Sequence, residues 1–330
     1  MNNILDIKNS CDTTEISLRP YYLSDYIGQV ELKAKLEVFI KAAKSRHETL
    51  DHVLLYGPPG LGKTSLALAI AHEMNVPIKI ITATVIEKTG DLAAILSELE
   101  PGQVLFIDEI HRLPRIVEES LYSAMEDYRL DIVIAKDFNS KSISLDLPPF
   151  TLIGATTRAG MLSSPLRSRF GIIEKFNYYS INEIEQIVGH TAKFFNCEID
   201  SQSMHEIALR SRGTPRIANR ILRRVRDYAN CVDSNKINIE ITSKALEALK
   251  INKIGLDEVD ISYLKAIINR FNKGPVGIET LASSIGEEVV NLEDVYEPYL
   301  LQIGFIDRTP KGRIITSKGY AHCRQNGYVN

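Results

Sequence analysis

The octapeptide Gly57-Pro58-Pro59-Gly60-Leu61-Gly62-Lys63-Thr64 has the spacing G-x-x-x-x-G-K-[ST], and these residue types suit the holding of a polyphosphate. Glycines such as Gly60 and Gly62 let backbone N–H groups turn toward phosphate oxygens. A helix starting near Lys63 adds the positive end of its dipole. Lys63 is expected to reach the β- and γ-phosphates, the Thr64 hydroxyl to bind Mg²⁺, and Ser65 to touch the α-phosphate. The bland alternative is a ligand-free Gly/Pro turn. The apolar run before the octapeptide and the helical pattern after it favour the phosphate site.

A second motif, Val104-Leu105-Phe106-Ile107-Asp108-Glu109, is an apolar strand ending in two acids. Asp108 suits the Mg²⁺ shell, and Glu109 is placed to orient and polarise an attacking water. Two motifs of this kind imply hydrolysis of ATP. A third apolar run ends in Thr156-Thr157-Arg158, and Thr156 is the preferred polar residue between the two phosphate motifs; a plain helix N-cap is the alternative. His111 reads as a packing or relay residue rather than a ligand. The charge that develops on a γ-phosphate usually calls for an arginine, in cis or from a neighbour. The stretch Ser164–Phe170, with Arg167 and Arg169, and Arg216, at a helix start after Arg212-Gly213-Thr214-Pro215, are the candidates. Seven arginines fall between positions 210 and 226, and most read as a solvated or subunit-facing surface.

The elements that must position these residues follow from periodicity. Between residues 51 and 177 the apolar runs His52–Tyr56, Ile78–Ala83, Val104–Ile107, Thr151–Ala155 and Ile172–Phe176 alternate with helical patterns such as Ser65–Met74 and Leu92–Leu99. Such alternation predicts an α/β domain with a parallel sheet covered by helices. Ile132–Ala135 and Ser142–Leu147 break the alternation and read as an inserted β-hairpin, about residues 130–148. Helices are expected over Glu183–Phe195, Ser201–Arg210, Arg216–Ala229 and Thr242–Leu249. A last segment carries helical patterns at Asp260–Phe271, Ile278–Ile285 and Asn291–Ile303. The strands Phe305–Thr309 and Arg313–Thr316, around the turn Pro310-Lys311-Gly312, complete the parts of a winged helix.

Composition narrows the class. The 330 residues carry a net charge of −3 and four scattered cysteines, without the C-x-x-C pairs of a zinc site. Reduced thiols, a polar acidic N-terminus and the lack of a long apolar run point to a cytoplasmic chain. Overall charge does not favour nucleic acid, so any such contact must be local. Residues 300–330 supply a candidate: Arg308, Lys311, Arg313, Lys318 and Arg324 against Asp307 alone. Within the hairpin Phe305–Thr316 no Asn or Gln typical of base reading accompanies them, so backbone contact is expected.

Taken together the motifs resemble the AAA+ ATPases, and within them the RuvB family of branch-migration motors. The resemblance rests on Leu18-Arg19-Pro20 with Asp25-Tyr26-Ile27-Gly28-Gln29, His52–Thr64, Asp108-Glu109-Ile110-His111, Ala124-Met125-Glu126-Asp127-Tyr128, Gly154–Gly160, Arg212–Arg220, Gly274–Leu281 and Val295–Leu300. It covers about residues 17–320. It implies a P-loop AAA+ domain over residues 1–179, a small helical lid over 180–252 and a winged-helix head over 253–330. It further implies a homohexameric ring that uses ATP and Mg²⁺ to move duplex and four-way junction DNA in recombination and repair, with RuvA docked through the hairpin and RuvC in the resolving complex. Position by position, the resemblance assigns Leu18 and Arg19 to the nucleotide base, and Glu126, Asp127, Tyr128 and Tyr179 to the border of the nucleotide site. Arg169 matches a finger presented to a neighbour, Arg216 a lid arginine that senses the γ-phosphate, and Arg308 and Arg313 a DNA-contacting wing. The sequence departs from the pattern at the hairpin tip, Ala135–Lys141, and at Val289, where a basic residue is common.

A clamp-loader-like assembly factor would share the ATP site but not the terminal winged helix. A nucleotide-gated binding module would need neither Glu109 nor Arg169. A P-loop GTPase would carry an N-K-x-D base motif, which does not follow the acid pair.

Overall fold

A computed structural model describes residues 18–134, 141–232 and 236–329. The chain divides into two compact units, one of residues 1–57 and 62–177, the other of 58–61 and 178–330.

The first unit is built on a five-stranded sheet in the order β2-β3-β6-β1-β7, from β1 (Val53–Tyr56), β2 (Ile78–Thr82), β3 (Val104–Asp108), β6 (Thr151–Thr156) and β7 (Ile172–Lys175). Every pairing is parallel. The five apolar runs of the sequence are these five strands. Central β6 is buried at all its positions, as a strand covered on both faces must be. Edge strand β7 alternates, burying Ile172 and Glu174, and Lys35 reaches Glu174 at 3.2 Å. The hairpin pairs β4 (Arg129–Ile134) with β5 (Lys141–Asp146) in antiparallel register, Arg129 opposite Asp146 and Ile134 opposite Lys141. It therefore begins nearer the chain's preceding helix than the apolar pattern indicated. The departing tip residues 135–140 lie outside the described residues. Helix α1 (Val30–Arg46) has no counterpart among the sequence-derived elements. Its start lacks the usual capping signal, since Gln29 is left-handed at φ 50° and makes no side-chain cap. Helices α2 (Lys63–Met74), α3 (Thr89–Ser97) and α4 (Arg115–Glu126) flank the strands in sequence.

In the second unit, α5 (Ile181–Phe194), α6 (Ser201–Arg210), α7 (Pro215–Cys231) and α8 (Ile239–Ala248) form a helical group. Caps set its boundaries. Ser180 and Glu183 make a reciprocal capping box at α5, and Asp200 and Asn238 accept backbone N–H groups at the starts of α6 and α8. Two-residue strands Glu198–Ile199 and Lys236–Ile237 pair in parallel. Next come α9 (Glu258–Lys265), α10 (Ile278–Ile285), a helical stretch over 289–302 whose last part is α11 (Glu297–Gln302), and the hairpin Ile306–Thr309 with Gly312–Ile315. Tyr263, Leu264, Ile267, Leu281, Leu292, Leu300, Ile306 and Cys323 share one buried cluster. The last helix, α12 (Ser317–Gln325), was not read from the sequence. It is short and polar, and it buries only Gly319 and Cys323. Cys197, Cys231 and Cys323 are free thiols, whereas Cys11 lies outside the described residues. Among the described residues no helix is long and apolar enough to cross a membrane.

Candidate active site

Parallel strands bring all their carboxyl ends to one edge of the sheet, where open α/β sheets bind ligands. The register sets Tyr56 beside Thr156, and Thr82 beside Asp108. The phosphate loop leaves β1 at Gly57, whose N–H donates to the Thr156 carbonyl at 3.2 Å. Gly57, Gly60 and Gly62 have φ of 144°, 78° and 100°, a region that side chains with a Cβ avoid. A Cβ at Gly57 would also come within 2.9 Å of the Phe176 carbonyl. Helix α2 begins at Lys63, directly after left-handed Gly62. Its first turn holds Lys63, Thr64 and Ser65, so the orphan N–H groups of a twelve-residue helix open on the loop. Lys63 is buried and its Nζ donates to the Gly57 carbonyl at 2.9 Å, which places the ammonium across the loop. The Tyr26 hydroxyl donates to the Gly62 carbonyl at 3.2 Å. Leu18 and Arg19, both partly buried, lead into this segment. It is pinned on α2 by the Leu23 N–H to Glu73 and by Tyr21 against His72.

Asp108 ends β3 on the same edge. Glu109 follows with φ 49°, a left-handed conformation that costs a non-glycine residue about 1–2 kcal/mol and is frequent at functional sites. Its N–H donates to Asp108 Oδ1 at 3.0 Å, and its carboxylate accepts from the Thr157 hydroxyl at 3.1 Å and the Thr157 N–H at 3.4 Å. His111 Nδ1 lies 3.2 Å from the same oxygen and 2.9 Å from the Thr156 hydroxyl. Thr156, the threonine preferred on sequence, is fully buried, and its hydroxyl also accepts from the Arg158 N–H at 3.0 Å. The neighbour that touches Glu109 is Thr157, which the sequence reading passed over. Strand parity decides between the two threonines, and the five buried positions preceding Thr156 hide that parity. Among the described residues no cluster of three His, Cys, Asp or Glu could hold a metal ion.

Arg169 lies at the other edge of this sheet. It closely precedes β7, whose first residue, Ile172, pairs with Val53 at the start of β1. It donates to the Pro165 carbonyl at 2.8 Å and to Glu126 at 3.2 Å, with its guanidinium 4.5 Å from the Tyr122 ring. The same edge holds Glu126, Asp127 and Tyr128: the Met125 carbonyl contacts His52 Nε2 at 3.0 Å, and the Tyr128 hydroxyl lies 3.5 Å from Thr49. Strand β1 has four residues, which span roughly 13 Å. Within one chain, then, Arg169, Glu126, Asp127 and Tyr128 form a group of their own and do not border the phosphate loop.

In the second unit, the Tyr179 hydroxyl donates to the Leu61 carbonyl at 2.9 Å, and the Tyr179 N–H donates to the Gly213 carbonyl at 2.9 Å. The Arg216 N–H points to the Gly60 carbonyl at 3.4 Å. A Cβ on Gly60 would meet Thr214 and Arg216 at 2.9 and 3.0 Å. A cavity of about 300 Å³ is lined by Pro58, Pro59, Tyr178, Arg216, Asp294 and Tyr299, among others. Arg212 is buried beside it. Its guanidinium engages Asp260 and Asp257, its Nε donates to the Gly255 carbonyl at 2.8 Å, and the Tyr299 ring lies 5.1 Å away. Arg212 is thus a packing residue; of its run Arg216, Arg220 and Arg224 are exposed, whereas Arg210, Arg223 and Arg226 are partly buried.

On the terminal hairpin Arg308 and Arg313 face each other across the two strands. Both reach Glu297 on α11, which is completely buried. The Tyr263 hydroxyl donates to the same carboxylate at 2.6 Å, and Arg313 also holds Glu293 at 2.9 Å. Burial alone would lower the Arg313 guanidinium; the hydrogen bonds and charge of Glu297, then of Glu293, hold it above its usual value instead.

The chain matches three family models end to end: the Holliday junction DNA helicase RuvB P-loop domain over residues 18–176, the RuvB AAA lid domain over 179–252 and the RuvB C-terminal winged helix domain over 253–324. It is 58% identical over 308 residues to the Holliday junction branch migration complex subunit RuvB of Limosilactobacillus reuteri, covering 93% of this chain and 91% of that protein. The Thermotoga maritima RuvB Holliday junction branch migration motor superposes with a TM-score of 0.85 at 51% identity, over 93% of this chain and 98% of that one. A variant of the same Thermotoga protein gives 0.86. With its loop, acid pair, lid and winged head matched over nearly its whole length, the chain belongs to the RuvB family.

Proposed function

We propose that this chain is the ATP-driven motor of Holliday-junction branch migration. It works as a ring, a homohexamer on the family pattern, acting on duplex and four-way junction DNA together with RuvA and, in the resolving complex, RuvC. The Thr64 hydroxyl and Asp108 would hold Mg²⁺, which would supply charge neutralisation at the phosphates. Lys63 and the loop amides bind the β- and γ-phosphates. Glu109 takes a proton from water as it attacks. The Arg216 guanidinium, whose backbone adjoins Gly60, reports the γ-phosphate to the lid. The hairpin over about 130–148 serves RuvA.

The observation that carries the ring is the separation of Arg169 from the phosphate loop by the length of a strand. An arginine so placed acts on the nucleotide of a neighbour, with Glu126, Asp127 and Tyr128 beside it at that border. The winged head at 253–324 favours a translocase over a clamp-loader-like factor. The test is steady-state ATPase with and without four-way junction DNA, for the chain alone and with RuvA. Stimulation by junction and partner is expected. Turnover indifferent to both would refute the motor reading.

A further inference from the structure

The wing reads from sequence as a hairpin with surplus positive charge, but the structure removes much of that surplus. Two guanidiniums, Arg308 and Arg313, meet two carboxylates, Glu297 and Glu293, so the cluster is neutral. Glu297 has no exposed surface, yet both its oxygens are taken: one by the Tyr263 hydroxyl and Arg313 Nε, the other by Arg308 through two nitrogens. The two arginines differ in what remains. The Arg313 side chain is 14% exposed and committed to both acids, whereas that of Arg308 is 46% exposed. Arg308 grips Glu297 with Nε and one terminal nitrogen. A guanidinium is planar and rigid, so fixing two nitrogens fixes the direction of the third.

We propose that Glu297 is a positioning residue for DNA: it aims the outer edge of Arg308 at a backbone phosphate, while Arg313 braces the pair from within. This rests on the reading of the wing as the DNA-facing element. The neutral cluster offers little bulk attraction, so the contact depends on a directed hydrogen-bonding fork rather than on charge. A directed contact from a neutral base fixes orientation on the duplex without adding a strong salt-dependent hold, which suits a head that must repeatedly let go.

The experiment measures binding of the full-length chain to a short duplex across a salt series, with thermal melting as the folding control. Arg308→Ala should weaken binding about tenfold while lowering the salt slope by clearly less than the roughly one unit of a full charge contact. Arg308→Lys, which keeps the charge and loses the fork, should come close to the alanine variant. Glu297→Gln should also weaken binding, although it adds one unit of positive charge beside the DNA. If Arg308→Lys binds as the wild type, or Glu297→Gln binds DNA as tightly or more tightly, charge alone acts and the positioning role is overturned. If even Arg308→Ala leaves binding unchanged, the wing reading itself fails. Arg308 is half exposed, so its variants decide the matter even where Glu297→Gln melts early.

Discussion

Glu109 at the sheet edge and Glu297 beneath the wing are the same residue type in two opposite settings. Glu109 is partly exposed, sits on a left-handed backbone, and is held by a threonine hydroxyl, an amide and a histidine. Hydrogen bonds to a carboxylate are worth about 1.5–3 kcal/mol each. Glu297 has no exposure and is gripped by two guanidiniums as well as a tyrosine hydroxyl, so two of its partners add a full opposite charge in a fixed geometry. A carboxylate that must take a proton from water needs access and some freedom. One that must aim other side chains needs neither. The surroundings of each acid therefore state its task.

That contrast breaks most visibly at the nucleotide. Glu109 is expected to act only when charge from a neighbour completes the site. Arg169→Ala should then lower turnover by about 10³–10⁵. Mixing Arg169→Ala with Lys63→Ala chains should restore part of it, wherever an intact arginine meets an intact loop. An isolated monomer with full turnover would show that no neighbour is needed. Next in size, Glu109→Gln should cost about 10²–10⁴ in turnover, while ATP binding and melting temperature stay close to wild type, because only proton transfer is lost. Lys63→Ala should instead weaken ATP binding. Normal hydrolysis by Glu109→Gln would remove the base from its assigned role.

Much of this was legible in the sequence. Lys63, Asp108 and Glu109 lie on a spacing that chemistry dictates, and all five sheet strands are apolar runs bounded by turns. The missed side-chain contacts share a cause: each joins residues separated along the chain. Thr157 meets Glu109 across 48 positions. Arg308 and Arg313 meet Glu297 across 11 and 16. Because Glu293 and Glu297 precede the basic segment, a count over residues 300–330 overstates its charge. The strands Glu198–Ile199 and Lys236–Ile237 are too short to show any period.

The wing side of the contrast is tested by stability rather than turnover. Arg313→Ala leaves Glu297 buried with fewer donors. Breaking a buried pair costs up to 3–5 kcal/mol. Arg308 and Tyr263 still hold the carboxylate, so about 2–3 kcal/mol is expected, a fall of roughly 5–10 °C in melting temperature. Arg308→Ala, at a half-exposed site, should cost under about 1 kcal/mol. Equal melting temperatures for the two variants would mean that both arginines are surface groups and that the brace does not exist.

The smallest effect concerns a third buried acid. Asp260 has no exposed surface, as Glu297 has none, but among the described residues its one guanidinium partner is Arg212, which it shares with Asp257. Burial outweighs the opposing pull of Arg212, and with help from Asp257 it pushes the Asp260 carboxyl up to about 7. In the unfolded chain an aspartate titrates near 3.9. Folding therefore favours the protonated form. The contribution of that form to stability is complete below about pH 4 and is lost as the pH rises through about 7. Asp260→Asn keeps a neutral side chain of the same shape at every pH. Relative to wild type, the melting temperature of Asp260→Asn should rise by several degrees between about pH 4 and pH 7 and level off above that. A difference that stays constant with pH, or that moves in favour of the wild type, would show that Arg212 keeps Asp260 ionised throughout, and that one guanidinium suffices where Glu297 is served by two.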